Sequence, residues 1–200
     1  MVVDTGVPGS TPRVLRALRR RGYSPQDVAL IILTHGHADH AGSAAELRAR
    51  TGAAIVAGAG DERMSTRGHN GAMHPTGRVG RTVLSFIGKD YPPFTPDLLL
   101  REPLDLHPFG VPGQILVMPG HTPGSLTVVL DDGQAIAGDL VRGRFVRPGR
   151  PVLHFFHHDV AAAHRHLATL LDSHGVKRLH PGHGHVLTDR ALRAYLADVR

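Results

Sequence analysis

The sequence predicts an α/β protein, in which strands and helices alternate along 200 residues. Apolar, β-branched runs such as residues 28–33 alternate with stretches that begin at helix-capping residues. The 24 glycines and 15 prolines indicate many turns rather than a long-helix bundle. The length suits one domain with a full hydrophobic core, and no linker interrupts it, so residues 1–200 are predicted to form a single domain.

The first half carries clear helix boundaries. Thr11 precedes Pro12 and can cap a helix that Gly22 stops, and Ser43 with Glu46 has the spacing of a capping box. Gly52 follows the last polar turn of that second helix. The predicted elements, in order, are a strand at 2–3, a helix at 11–21, a buried strand at 28–33, a helix at 43–52, a strand at 53–57 and an irregular stretch at 58–96 in which only 79–87 has regular character.

The second half repeats the alternation. Asp132-Gly133 between two apolar runs is a strong hairpin signal, and Asp159 and Thr188 are in position to cap the two helices that follow. The predicted elements, in order, are strands at 98–106, 115–118, 126–130 and 134–137, a helix at 159–175, a strand at 176–179 and a helix after 188.

Composition excludes several classes of protein. There are no cysteines, which removes disulfides, thiolate ligands and cysteine nucleophiles. The net charge is +6, but the arginines that dominate it are scattered, so no nucleic acid is expected as a partner. No apolar run approaches 18 residues and no leader is recognisable, so no membrane is expected and a cytoplasmic location is the default. The anomaly is the histidine content, 16 of 200 residues.

The densest cluster of histidines follows the buried strand at 28–33. His35, His37, Asp39 and His40 lie within six residues and are separated only by Gly36 and Ala38. Burying four such side chains without a metal would leave polar atoms uncompensated, so a metal site is favoured. Imidazole and carboxylate without thiolate suit zinc, iron or manganese.

Four motifs carry a resemblance to a known family. HGHADH at 35–40 is followed by PGHTPGS at 119–125, AGDL at 137–140 and PGHGH at 181–185, in an order and spacing that resemble the metallo-β-lactamase superfamily. The resemblance implies an αββα four-layer sandwich, short at the N-terminus here, with a binuclear metal site at one edge. It implies these ligands: His35, His37 and His121 for one metal, Asp39, His40 and His183 for the other, Asp139 bridging both, and Asp4 orienting a ligand histidine.

The resemblance also implies a chemistry. Two Zn²⁺ ions are expected, with iron or manganese as alternatives, and a water between them would become a nucleophile near neutral pH. Asp39 and Asp139 are the expected catalytic residues, Asp39 also as a proton shuttle. Because Asp139 fills the bridging position, the resemblance favours glyoxalase II-like or lactonase-like hydrolysis of a small ester, thioester or lactone. Phosphodiesterase or β-lactamase activity and a mononuclear iron persulfide dioxygenase are the alternatives.

Substrate contacts are less constrained by the sequence. His69 and Tyr91 lie in the irregular stretch, where the family places loops over the substrate, and Arg142 and Arg144 follow closely after Asp139. Arg147 and Arg150 continue that cluster. Each also suits a solvated or packing role. The family normally has further strands before the Asp4 element, and without them an exposed sheet edge would favour a homodimer.

Overall fold

The computed structural model describes residues 1–146 and 148–199, which fall into two compact units. The first unit comprises Met1–Ala72 with Gly88–Arg101, and the second comprises Met73–Ile87 with Glu102–Arg200. Each unit has its own hydrophobic core. That the whole chain behaves as one domain stays a prediction.

The first unit is built on a four-stranded sheet in the order β1-β2-β3-β4, in which every pair of neighbouring strands is parallel. Short 3₁₀ turns at Pro25–Asp27 and Ala59–Asp61 complete it. Its elements are β1 (Val2–Val3), α1 (Thr11–Arg19), β2 (Leu30–Ile32), α2 (Ala38–Ala41), α3 (Ala44–Thr51), β3 (Ala54–Gly58), α4 (Glu62–Arg67) and β4 (Leu98–Leu100).

The sheet of the first unit is buried on both faces, as parallel sheets usually are. Ile31 and Ile55 project into the unit's core together with Leu47 of α3, and all three are fully buried. Ile32 and Val56, which alternate with them along the strands, are buried on the opposite face. This explains why residues 28–33 form one continuous apolar run.

Three local predictions for the first unit can be compared with the structure. Ser10, rather than Thr11, is the N-cap of α1. Ser43 precedes α3 but forms no capping bond, because its hydroxyl donates to the Val7 carbonyl and accepts the Ser10 N–H instead. Gly52 does end α3 as predicted, in a left-handed conformation.

The second unit contains a six-stranded sheet in the order β12-β11-β8-β7-β6-β5 and a separate β9-β10 pair. A 3₁₀ turn lies at His107–Phe109. Its elements are α5 (Arg78–Leu84), β5 (Leu104–Asp105), β6 (Gly113–Val117), β7 (Leu126–Leu130), β8 (Gln134–Gly138), β9 (Arg142–Gly143), β10 (Pro151–Val152), α6 (Val160–Asp172), β11 (Arg178–Pro181), β12 (Leu187–Thr188) and α7 (Asp189–Asp198).

Helices α6 and α7 supply the apolar side chains that pack with those of this sheet, with Leu170 and Leu192 fully buried. The predicted caps are confirmed: Asp159 accepts the Ala162 N–H, and Thr188 accepts the Ala191 N–H. Among the described residues, no helix is long and apolar enough to cross a membrane.

The predicted strand at 98–106 is wrong, because the chain leaves one sheet and enters another within it. Leu98–Leu100 pairs with β3 in the first unit, whereas Leu104–Asp105 pairs with β6 in the second. Residues 101–103 between them are not in a strand. An apolar run alone does not indicate which partner strand each residue has.

Candidate metal centre

Four predicted ligands lie on one turn of the first unit, directly after β2. His35, His37 and His40 are buried and Asp39 is partly exposed. The ring centroid of His35 lies 4.7 Å from that of His37 and 4.0 Å from that of His40. The turn therefore gathers the three imidazoles within the reach of metal ligands.

The backbone of this turn is held by distant parts of the same unit. Gly36 donates its N–H to Asp61 at 2.9 Å and accepts the Tyr91 hydroxyl at 2.6 Å, and a Cβ at Gly36 would lie 2.9 Å from that of Met64. The Ala38 N–H donates to the Asn70 side chain at 2.7 Å. Glycine is therefore needed at position 36 because the neighbouring helix leaves no room for a side chain.

Asp4 contacts this turn through its carboxylate, which hydrogen-bonds to Thr34 and His40. It has a φ of +58°, in the left-handed region that few residues other than glycine, asparagine and aspartate adopt. From there its carboxylate accepts the Thr34 N–H at 2.7 Å, the Thr34 hydroxyl at 2.8 Å and Nδ1 of His40 at 2.7 Å. Since a carboxylate accepts and His40 must donate, the hydrogen bond places the His40 proton on Nδ1 and the lone pair on Nε2.

The same hydrogen bonds determine which ring nitrogen of His35 carries the proton. The single hydroxyl proton of Thr34 goes to Asp4, so its oxygen accepts from Nδ1 of His35 at 3.1 Å. Nε2 of His35 is then the unprotonated nitrogen, which is the form that binds a metal ion.

The remaining predicted ligands follow three strand ends of the second unit. His121 comes after β6, Asp139 directly after β8 and His183 after β11. A bulge in β11 occurs where Pro181 pairs with Gly138, and the Gly182 N–H donates to the Gly138 carbonyl at 2.7 Å. This irregularity holds the two strand ends together, which is a common use of bulges beside functional sites.

Asp139 is the centre of this cluster. Its side chain is 2% exposed, and its Oδ2 lies 3.6 Å from Nε2 of His121 and 3.5 Å from Nε2 of His183. Nδ1 of His121 donates to the Phe156 carbonyl at 2.8 Å, so Nε2 carries the lone pair that faces the carboxylate.

His154 is a member of this cluster that the sequence motifs do not indicate. Its Nε2 lies 3.2 Å from Oδ2 of Asp139, closer than either predicted histidine, and its ring stacks on that of His183 at 5.5 Å. The ligand atoms of His121, Asp139 and His154 all lie within 4.8 Å of one another. Its position in a loop beside two other histidines was the available signal, and it did not single His154 out.

His157 is also buried nearby, with its ring centroid 5.5 Å from that of His121. Burial lowers the pKa of His157 to about 4, and the neighbouring His154 contributes in the same direction. His157 is therefore neutral at physiological pH.

The donor set of both units fits divalent metal ions. His35, His40 and His121 each give Nδ1 to an oxygen acceptor, which leaves Nε2 as the metal-binding nitrogen. Histidines surround a buried carboxylate, and no cysteine competes in the sequence. This combination of imidazole and carboxylate suits zinc, iron and manganese alike.

The predicted substrate contacts have different environments. Tyr91 is buried in the core of the first unit, and burial raises its pKa; its hydroxyl contacts Gly36, which favours the packing interpretation. His69 is exposed, and its Nδ1 accepts the Gly71 N–H. Arg142 is half-buried and Arg144 is exposed, both in the second unit. Arg147 lies outside the described residues.

Comparison with known proteins agrees with these motifs. The family model described as the metallo-beta-lactamase superfamily matches residues 1–185. Hydroxyacylglutathione hydrolase from Xanthomonas axonopodis pv. citri (strain 306) is 32% identical over 139 residues, which cover 70% of this chain and 40% of that protein. The chain thus spans well under half the length of this curated relative.

Solved structures extend the likeness to the fold. Rm3 metallo-beta-lactamase matches with 25% identity and a TM-score of 0.68, covering 98% of this chain and 79% of that one. TTHA1623 in a di-iron-bound form matches with 27% identity and a TM-score of 0.66, covering 94% and 84%.

The chain belongs to the metallo-beta-lactamase superfamily and has its α/β fold, so the resemblance predicted from the four motifs is confirmed.

Proposed function

We propose that this protein hydrolyses a small ester, thioester or lactone with two metal ions, with zinc as the expected metal. His35, His37 and His121 would hold one ion, and Asp39, His40 and His183 the other, with Asp139 shared between them. The observation that carries this proposal is Asp139, a buried carboxylate approached by histidine Nε2 atoms, that of His121 in the unprotonated form that binds metals.

Bound metals would supply Lewis acidity, which polarises the scissile carbonyl and acidifies a water molecule. The chain's own residues do the rest. Asp4 and Thr34 keep the proton of His40 and His35 on Nδ1, so these rings present a fixed lone pair. Asp39 is partly exposed, and its Oδ2 lies 3.7 Å from Nε2 of His40, so it can exchange a proton with solvent while it remains next to a ligand.

The substrate class is supported by the relative from Xanthomonas, whose name gives hydroxyacylglutathione as its substrate. An acyl compound with an activated carbonyl suits the same chemistry here. The di-iron form of the similar structure keeps iron open as the resident metal.

The test is metal analysis of the purified protein together with an Asp139→Ala variant. We expect close to two zinc atoms per chain and turnover of a thioester or lactone, both strongly reduced in Asp139→Ala. Asp172→Ala is the matched control, because it removes an exposed carboxylate that pairs with Arg193 in the same unit. It should leave both unchanged.

A single iron per chain would instead favour the mononuclear oxidoreductase alternative. An Asp139→Ala variant with full metal content and full turnover would overturn the binuclear mechanism.

A further inference from the structure

The second unit contains an open groove of about 740 Å³. None of the residues that line it is acidic. They are Thr76, Gly77, Arg78, Val79, Gly80, Arg142, Arg144, Phe145, Val146 and Phe155.

Backbone contacts fix the shape of the groove. Thr76 donates its N–H to the Phe155 carbonyl at 2.9 Å and its hydroxyl to the His154 carbonyl at 2.7 Å. α5 approaches the same segment so closely that a Cβ at Gly80 would lie 2.5 Å from the Phe155 oxygen. One wall of the groove is thereby held against its Phe155 side by the two hydrogen bonds that Thr76 donates.

Arg142 is the cationic centre of the groove. Its guanidinium carbon lies 4.2 Å from the centroid of the Phe155 ring, and its Nε is buried without a hydrogen-bond partner among the described residues. Burial lowers the pKa of Arg142, and the positive charge of Arg144 adds to this. An anion beside the guanidinium would offset the repulsion between these two neighbouring positive charges.

The groove also exposes apolar side chains beside these charges. Phe145 is 60% exposed, Val79 62% and Val146 91%. Exposed apolar side chains clustered in a concave surface are typical of ligand sites. The combination suits a ligand with an apolar body and a negatively charged end.

The groove adjoins the Asp139 cluster through two chain segments. Arg142 lies three residues after Asp139, and Phe155 directly follows His154, whose Nε2 is 3.2 Å from the Asp139 carboxylate. The rings of His154 and Phe155 lie 5.7 Å apart. A ligand in the groove would therefore extend toward the cluster that carries the proposed chemistry.

We propose that this groove binds the anionic end and adjacent apolar part of the substrate, which is thus an acyl compound bearing a carboxylate or phosphate away from the scissile bond. Arg142 provides the main contact, with Arg78 and Arg144 contributing charge at the rim. The proposal rests on the proposed function and names the substrate class of that enzyme.

Equilibrium binding tests the proposal without any turnover. Isothermal titration of the purified protein with 4-phenylbutyrate is compared with its neutral analogue 4-phenylbutan-1-ol and with 3-phenylpropyl phosphate. We expect both anions to bind about tenfold more tightly than the alcohol, since a charge-assisted hydrogen bond contributes about 1.5 kcal/mol or more. The stronger of the two anions identifies carboxylate or phosphate as the preferred group.

Variants assign the effect to the groove. Arg142→Gln should weaken anion binding about tenfold and leave the alcohol unchanged, and Arg142→Lys should retain part of the affinity. Arg190→Gln is the matched control, because it removes one positive charge from an exposed helix position of the same unit. Gly77→Leu, where a Cβ meets open space, should fill the groove and weaken all three probes.

Equal binding of 4-phenylbutyrate and 4-phenylbutan-1-ol would overturn the proposal, as would an equal loss in Arg142→Gln and Arg190→Gln. Far-ultraviolet circular dichroism checks that each variant is folded. If the protein binds the anions selectively but hydrolyses no ester, thioester or lactone, the groove proposal is supported and the proposed hydrolase function is refuted. If the protein hydrolyses such a substrate but does not bind the anions selectively, the hydrolase function is supported and the groove proposal is refuted.

Discussion

Replacing Asp4 by asparagine should reduce metal affinity, because it would move the ring proton of His40 from Nδ1 to Nε2. The carboxylate accepts three hydrogen bonds, two of them on Oδ2, from the Thr34 hydroxyl and His40 Nδ1. Asparagine can keep the acceptor for the Thr34 N–H, but its amide nitrogen would donate toward His40. His40 would then have to accept on Nδ1 and carry its proton on Nε2, where it blocks metal binding.

The magnitude follows from the hydrogen bonds that asparagine cannot accept. Partners that orient a ligand histidine typically account for a 10- to 100-fold difference in metal affinity, or about 1.4 to 2.8 kcal/mol. The metal-free protein should also lose about 1.5 to 3 kcal/mol of unfolding free energy, because a charged acceptor disappears from two donors. Asparagine tolerates the positive φ of position 4 as well as aspartate does, so backbone strain does not change.

The assay is zinc competition against a chromophoric chelator, with urea unfolding of the metal-free protein measured in parallel. Asp27→Asn is the control, since it makes the same change of charge at an exposed residue of the same unit that only caps a turn at Ser24. Unchanged zinc affinity in Asp4→Asn, or an equal loss in Asp27→Asn, would refute the reasoning.

Two further predictions concern the second unit. Hydrogen bonds to Asp105 and Asp131 raise the pKa of His107 above 6.5. These contacts therefore contribute to the stability of the folded protein below pH 6.5, and their contribution is lost as the pH rises through the raised pKa. An NMR titration of His107 with its midpoint at 6.5 or lower would contradict this prediction. Gly120→Ala should lower the free energy of unfolding by about 1 to 3 kcal/mol, because its Cβ would lie 2.8 Å from the Ala163 backbone. Gly88→Ala, which places its Cβ in open space in the first unit, should leave that free energy unchanged, and urea unfolding distinguishes the two variants.

Local signals in the sequence predicted their elements better than the apolar runs predicted the sheets. Helix caps at Asp159 and Thr188 and the hairpin at Asp132-Gly133 are local signals, and each is present in the structure. The strand at 98–106 failed because the choice of partner strand depends on contacts far along the chain.

The candidate site shows the same difference between local sequence signals and contacts between distant residues. The predicted ligand residues lie in compact motifs, whereas His154 approaches Asp139 only through folding of a loop 15 residues away. Tyr91 is predicted as a substrate contact because its segment is irregular; the hydrogen bond from its hydroxyl to the Gly36 carbonyl is a separate contact, which the sequence does not indicate. Neither contact has a periodic pattern, so no short-range signal in the sequence could indicate it.

The dependence of the ligand turn on Tyr91 has a consequence for synthesis on the ribosome. Gly36 emerges 55 residues before the tyrosine whose hydroxyl holds its carbonyl, and β4, the last strand of the first sheet, emerges later still. Because parallel strands need long connections before they can pair, the sheet cannot be complete until Leu100 has left the exit tunnel. During that interval the histidines at positions 35, 37 and 40 are exposed on an unfinished unit, and the turn that carries them should become ordered only after the first hundred residues have folded.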